Sequence, residues 1–147
     1  MPLIFRSMTR DGDQPSVGAA ATTLGVRLPP DPHADVHPDG SGEVHPGGGG
    51  MSVAPDWRRL PSHRIPKRLR PALHGDQDAR GKENLYCWRM GEGPFERAPV
   101  SDELQLAPDQ PDHGVVEPST PMPVADFQGY LAATRGEWKV IPEDPRR

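Results

Sequence analysis

Apolar residues in this chain fall in short runs, separated by long stretches rich in proline, glycine and charge. Leu3-Ile-Phe-Arg-Ser-Met8 reads as a first strand with one embedded arginine, and Asp11-Gly-Asp13 as the turn after it. Ser16 is placed to cap a short alanine-rich helix, Val17–Leu24, which Gly25 stops. Glu43-Val-His45 and Met51-Ser-Val-Ala54 flank a glycine run as a strand before and a strand after a wide turn. Leu85-Tyr-Cys-Trp-Arg-Met90 is a further strand, closed by a Gly-Glu-Gly-Pro turn. Leu104-Gln-Leu106 alternates, and His113-Gly-Val-Val-Glu117 is a short strand ended by Pro118.

The clearest periodicity is the last one. Val124, Phe127, Leu131 and Trp138 share a helical face at spacings of three, four and seven. Pro121 or Pro123 suits the first turn of this C-terminal amphipathic helix, with Thr120 as its cap. Gly129 and Gly136 weaken it, so packing against the sheet must hold it. Residues 29–50 and 55–84 read largely as loop. The expected architecture is α+β: mostly antiparallel strands with segregated helices.

Composition narrows this picture. The 147 residues suit a single domain spanning 1–147. Proline and glycine number 20 and 16, against only 26 Leu, Ile, Val and Phe, so the core is modest and the chain loop-rich. The net charge of −4 is too small for self-repulsion to keep the chain unfolded. Cys87 is the one cysteine, which excludes an internal disulfide; its apolar neighbours mark it as a buried structural thiol. No apolar run is long enough to span a membrane, and the N-terminus does not read as a signal peptide. The chain is expected to be made in the cytoplasm, and any export to proceed without a cleaved leader.

Basic charge concentrates in Arg58, Arg59, Arg64, Lys67, Arg68 and Arg70. The stretch matches no nucleic-acid-binding motif and reads as a solvated basic loop. Asp31, His33, Asp35, His37 and Asp39 alternate at a spacing of two and would share one side of an extended segment. Pro32 and Pro38 break such pairing and no second cluster completes a shell, so no metal site is assigned. Four consecutive glycines, 47–50, lead into Met51-Ser52-Val53, a pattern suited to backbone lying close against a partner or to a flexible linker. An arginine in a strand such as Arg6 calls for something anionic or an edge ion pair.

Taken in order, four stretches resemble a family of bacterial type VI secretion effector toxins with an ADP-ribosyltransferase-like fold. Leu3-Ile-Phe-Arg-Ser looks like its opening strand, and Val44-His-Pro-Gly-Gly-Gly-Gly-Met-Ser-Val53 like its Gly-Gly-hydroxyl strand. His113-Gly-Val-Val-Glu-Pro-Ser-Thr-Pro-Met122 is similar to its histidine strand and Pro-Met turn, and residues 123–138 to its terminal helix with a tryptophan. The resemblance implies NAD as substrate, ADP-ribose transfer to an acceptor the sequence does not name, and a neutralising immunity protein as partner.

Carried over by position, the family's hydroxyl pair becomes Met51-Ser52 and its strand histidine His113. Met51 departs from the pattern, leaving either Ser52 alone on a ribose or a weakened site. The site so implied has Arg6 on a phosphate or ribose and Gly49, Gly50 and Ser52 under the nicotinamide ribose. His113 polarises a ribose hydroxyl or activates the acceptor, and Glu117, four residues along the same strand, shares its face. No Glu-x-Glu pair marks a catalytic glutamate. A non-catalytic protein-binding module on the same fold is the alternative, with Arg6, Ser52 and His113 as ordinary strand-edge and turn residues.

Overall fold

The computed structural model describes residues 1–147. Its strands are β1 (Ile4–Met8), β2 (Arg10–Asp11), β3 (Gln14–Pro15), β4 (Glu43–Val44), β5 (Met51–Val53) and β6 (Tyr86–Met90). They continue as β7 (Ala98–Pro99), β8 (Leu104–Gln110), β9 (His113–Pro118), β10 (Met122–Pro123) and β11 (Lys139–Val140), with one α-helix, α1 (Val124–Ala133). Every strand pairing is antiparallel. One sheet runs β1-β6-β11 and another β5-β9-β8-β7, while β10-β4 and β2-β3 form two small ribbons. The two larger sheets meet at a single bridge, where Phe5 and Ala54 exchange backbone hydrogen bonds of 2.9 and 3.0 Å.

β1 is buried along its whole length, because it sits between two cores. Ile4 and Met8 join the main cluster with Met51, Val53, Trp88, Leu104, Leu106, Val116, Phe127, Leu131 and Trp138. Phe5, on the opposite face, enters a second cluster with Trp57, Ile65, Leu69, Ala79, Cys87 and Ile141. That second cluster gives the segment 55–84 a structure that propensity does not announce. Three short 3₁₀ turns (Trp57–Arg59, Ser62–Arg64 and Lys67–Ala72) fold it back on β1 and β6. Cys87 lies in this cluster, and burial pushes its thiol well above the ordinary range, as suits a structural cysteine.

Two elements differ from expectation. Residues 17–24 form no helix; Leu24 N–H returns to Ser16 O at 2.7 Å, and Val17 and Leu24 pair in a bridge. In this non-helical conformation the carbonyls of Ala21 and Thr23 turn to Arg6, which takes both. The C-terminal helix ends at Ala133 and starts after Pro123 with no side-chain cap. Trp138 lies beyond it in extended backbone, and its indole N–H donates to the Thr134 hydroxyl at 3.0 Å. No helix is long and apolar enough to cross a membrane.

The basic stretch is solvated only in part: Arg59, Lys67 and Arg70 are exposed, whereas Arg58, Arg64 and Arg68 are half-buried. The Arg68 side chain is 9% exposed and grips the fully buried Asp144 with two bonds of 2.9 Å, while also donating to Leu85 O. Arg58 donates to Ala72 O, and Arg70 to Ala79 O. These contacts tie the 3₁₀ turns to neighbouring segments, with the Arg68 side chain the most buried of the three. Removing one partner of a buried pair strands the other charge, so Asp144→Ala is expected to cost about 3–5 kcal/mol in urea unfolding. An unchanged unfolding midpoint would show that Arg68 finds another acceptor.

Candidate functional site

Strand register decides which groups meet. Ser52 pairs with Val115 across β5 and β9, and Val53 with Gly114. Met51 and Val53 point into the main core, so Ser52 lies on the other face of β5. That face also carries His113, two residues from Ser52's partner and thus a diagonal neighbour. Met51 therefore serves the core, and its departure from the hydroxyl pattern does not alter the face that holds Ser52. On β8, an irregularity between Pro108 and Gln110 leaves Asp109 without a register partner. Such bulges re-aim side chains. Asp109 Oδ1 lies 2.7 Å from His113 Nδ1, and an ionised carboxylate can only accept. Nδ1 is thus the donor in this contact, and in the neutral ring Nε2 is the free acceptor.

Arg6 is only 5% exposed, on the core-facing side of β1 between Ile4 and Met8. Its guanidinium donates to Thr23 O from Nε (3.1 Å) and Nη2 (2.9 Å), to Ala21 O (3.1 Å), to Gly25 O (3.3 Å) and to Ser52 O (2.8 Å). All five bonds go to main-chain carbonyls. Burial lowers its pKa to about 10, opposed by Asp35 and reinforced by Arg64 and Arg27, so it stays charged at neutral pH.

These residues line one cavity of about 530 Å³ at the junction of the two large sheets. Arg6, Ser52 and His113 share it with Arg27, Arg59, Arg64, Asp35, Asp109 and Asp112. Arg27 pairs with Asp35 at 3.0 Å, which holds its guanidinium above the ordinary range; Arg59 pairs with Asp112 at 3.8 Å. Arg64 has no carboxylate, and burial followed by repulsion from Arg27 lowers its pKa. The volume suits a small-molecule ligand, and the wall has a positive excess. The segment from Arg6 to Trp138 (residues 6–138) also matches the family model of the Tse2 ADP-ribosyltransferase toxin. The chain belongs to that family. No curated protein and no solved structure matches it.

Of the site residues expected from a Tse2-type toxin, Arg6, Ser52 and His113 converge on the cavity, whereas Glu117, Gly49 and Gly50 do not line it. Glu117 shares a face with His113 but lies about 13 Å further along the strand. There its buried carboxylate accepts from Gln105 Nε2 (2.6 Å) and from the Gly47 N–H (3.1 Å). Close approach does explain the glycines, but the partner is this chain's own backbone. A Cβ on Gly50 would overlap the carbonyl oxygen of Val116, and one on Gly49 that of Asp35, at a φ of +99°. Nor do the alternating aspartates and histidines of 31–39 share one side. Asp31 caps the His33 N–H, Asp35 holds Arg27, and Asp39 meets His45 at 2.6 Å.

Sequence reasoning missed Asp109, Arg27 and Arg64. Asp109, four residues before His113 across a hairpin, was the one detectable pairing. Loss of the Arg6 guanidinium would strand buried carbonyls, so Arg6→Ala is expected to lower unfolding free energy by about 3 kcal/mol. Arg6→Lys should recover less than half, since an ammonium cannot span four acceptors. Full stability in Arg6→Ala would show that water replaces the guanidinium at no cost.

Proposed function

We propose that the cavity binds NAD and that the chain transfers ADP-ribose from it to an acceptor. The observation that carries this is the convergence of Ser52, His113 and surplus arginine charge on one cavity, in a chain of the Tse2 ADP-ribosyltransferase toxin family. Transfer breaks the bond between the ribose C1′ and the nicotinamide nitrogen. The bonding pair leaves with nicotinamide, C1′ passes through an oxocarbenium-like state, and an acceptor lone pair closes on it. The acceptor's proton must then go to a base. His113 Nε2, with its tautomer set by Asp109, is that base. The Ser52 hydroxyl orients a ribose hydroxyl, and the arginine-lined wall faces the diphosphate.

As a toxin of this family, the chain acts on an acceptor inside a target cell and is neutralised in its producer by an immunity protein. Its route to that cell is type VI secretion, as for effectors of this class. A second reading, a protein-binding module with a degenerate nucleotide site, is favoured by the absence of a glutamate from the cavity lining. Release of free nicotinamide separates the two, since a transferase leaks this product slowly even without its acceptor.

On calorimetry, Ser52→Ala is expected to weaken NAD binding about fivefold, the value of one hydrogen bond. His113→Ala should keep most of the affinity but slow nicotinamide release by at least about 100-fold and abolish growth inhibition. A folded wild type that binds no NAD would overturn this function. Turnover in His113→Ala equal to wild type would remove His113 from the chemistry.

A further inference from the structure

The surplus charge of the cavity does not sit where a ligand contact was expected. Arg6 is occupied: its five hydrogen bonds run to the carbonyls of Ala21, Thr23, Gly25 and Ser52. Arg27 is forked onto Asp35, and Arg59 faces Asp112. Arg64 differs from all three, because its guanidinium meets neither a carboxylate nor a protein carbonyl while lining the same space.

Its backbone, by contrast, is pinned. Arg64 closes the Ser62–Arg64 turn, with its N–H on Pro61 O at 2.8 Å, and its carbonyl accepts the Ser7 hydroxyl at 2.6 Å. The next residue, Ile65, is wholly buried, and its carbonyl accepts the Gly81 N–H at 2.7 Å. Ser7 faces the other side of β1 from Arg6, so these bonds fix the Arg64 backbone to the strand, while the Arg64 and Arg6 side chains line the same cavity. A pinned backbone carrying a guanidinium with no protein partner suits bidentate anion recognition. Burial disfavours the charge on Arg64 until an anion arrives to meet it.

We propose that Arg64, rather than Arg6, is the direct ligand of a diphosphate-class anion in this cavity, with Arg6 contributing positive potential from within the wall. That the anion is the diphosphate of NAD rests on the function proposed above, whereas the anion site rests on the unpartnered guanidinium. A diphosphate fits better than a single carboxylate because two cations, Arg6 and Arg64, lack a carboxylate partner. A guanidinium also matches phosphoryl oxygens two at a time.

The test is calorimetry of the full chain with inorganic pyrophosphate and, separately, with NAD. Wild type would be compared with Arg64→Ala, Arg64→Lys and Lys67→Ala, the last an exposed cation of the same stretch outside the cavity. Arg64→Ala is expected to weaken both ligands about 10- to 100-fold, the range for hydrogen bonds to a charged group. Arg64→Lys should recover part of that loss, Lys67→Ala should match wild type, and the thermal midpoint should move little in all three. Pyrophosphate bound equally by wild type and a folded Arg64→Ala would overturn the assignment, as would a wild type that binds none. NAD binding that survives Arg64→Ala would leave the NAD function standing and sink this one. Arg64-dependent pyrophosphate binding without NAD binding would do the reverse.

Discussion

A buried guanidinium bonded only to carbonyl oxygens holds this fold together. Arg6 ties β1 to the irregular segment 21–25 and to Ser52 of β5, so one side chain joins three parts of the chain far apart in sequence. The bridge between the two large sheets is a single residue pair, Phe5 with Ala54, and on its own would be a weak joint. The cradle reinforces it. It also draws the carbonyls of the alanine-rich segment onto a cation that has no other way to be buried.

The position of the cavity follows from the same joint. Where two antiparallel sheets diverge from one bridge, side chains on the open face have no opposing layer. Ser52 and His113 occupy that face by strand parity, and residues 59–64 of the first two 3₁₀ turns close its other side. The His113–Asp109 contact is then set by a hairpin irregularity, which turns Asp109 onto His113. Its geometry therefore depends on the β8–β9 turn more than on the core.

The strands at 4–8, 51–53, 86–90 and 113–118 were legible because each is a short apolar run punctuated by glycine or proline. Arg6, Ser52 and His113 were brought together through a resemblance in the order of those strands, but the carbonyl partners of Arg6 were not legible. Glu117 and the glycines were misplaced because same-face arguments carry no distance limit, and because a glycine shows a need for close approach without naming the partner. The segment 55–84 was opaque for another reason. Its four core residues (Trp57, Ile65, Leu69 and Ala79) are spaced with no period, since 3₁₀ turns and prolines reset the phase every few residues. Arginines that serve as internal crosslinks look, in a sequence, like arginines in water.

The second hydrophobic cluster joins Phe5 of β1 and Trp57 to Ile141, and the Arg68–Asp144 pair seals it. The wall that carries Arg64 is thus fastened by residues more than seventy positions further along the chain. A growing chain that has reached residue 118 already holds every charged group of the cavity, yet lacks the contacts that shape it. Assembly of the site is therefore a late event in synthesis, governed by long-range closure. The cavity's shape thus rests on residues 141–144, which carry none of its charged groups.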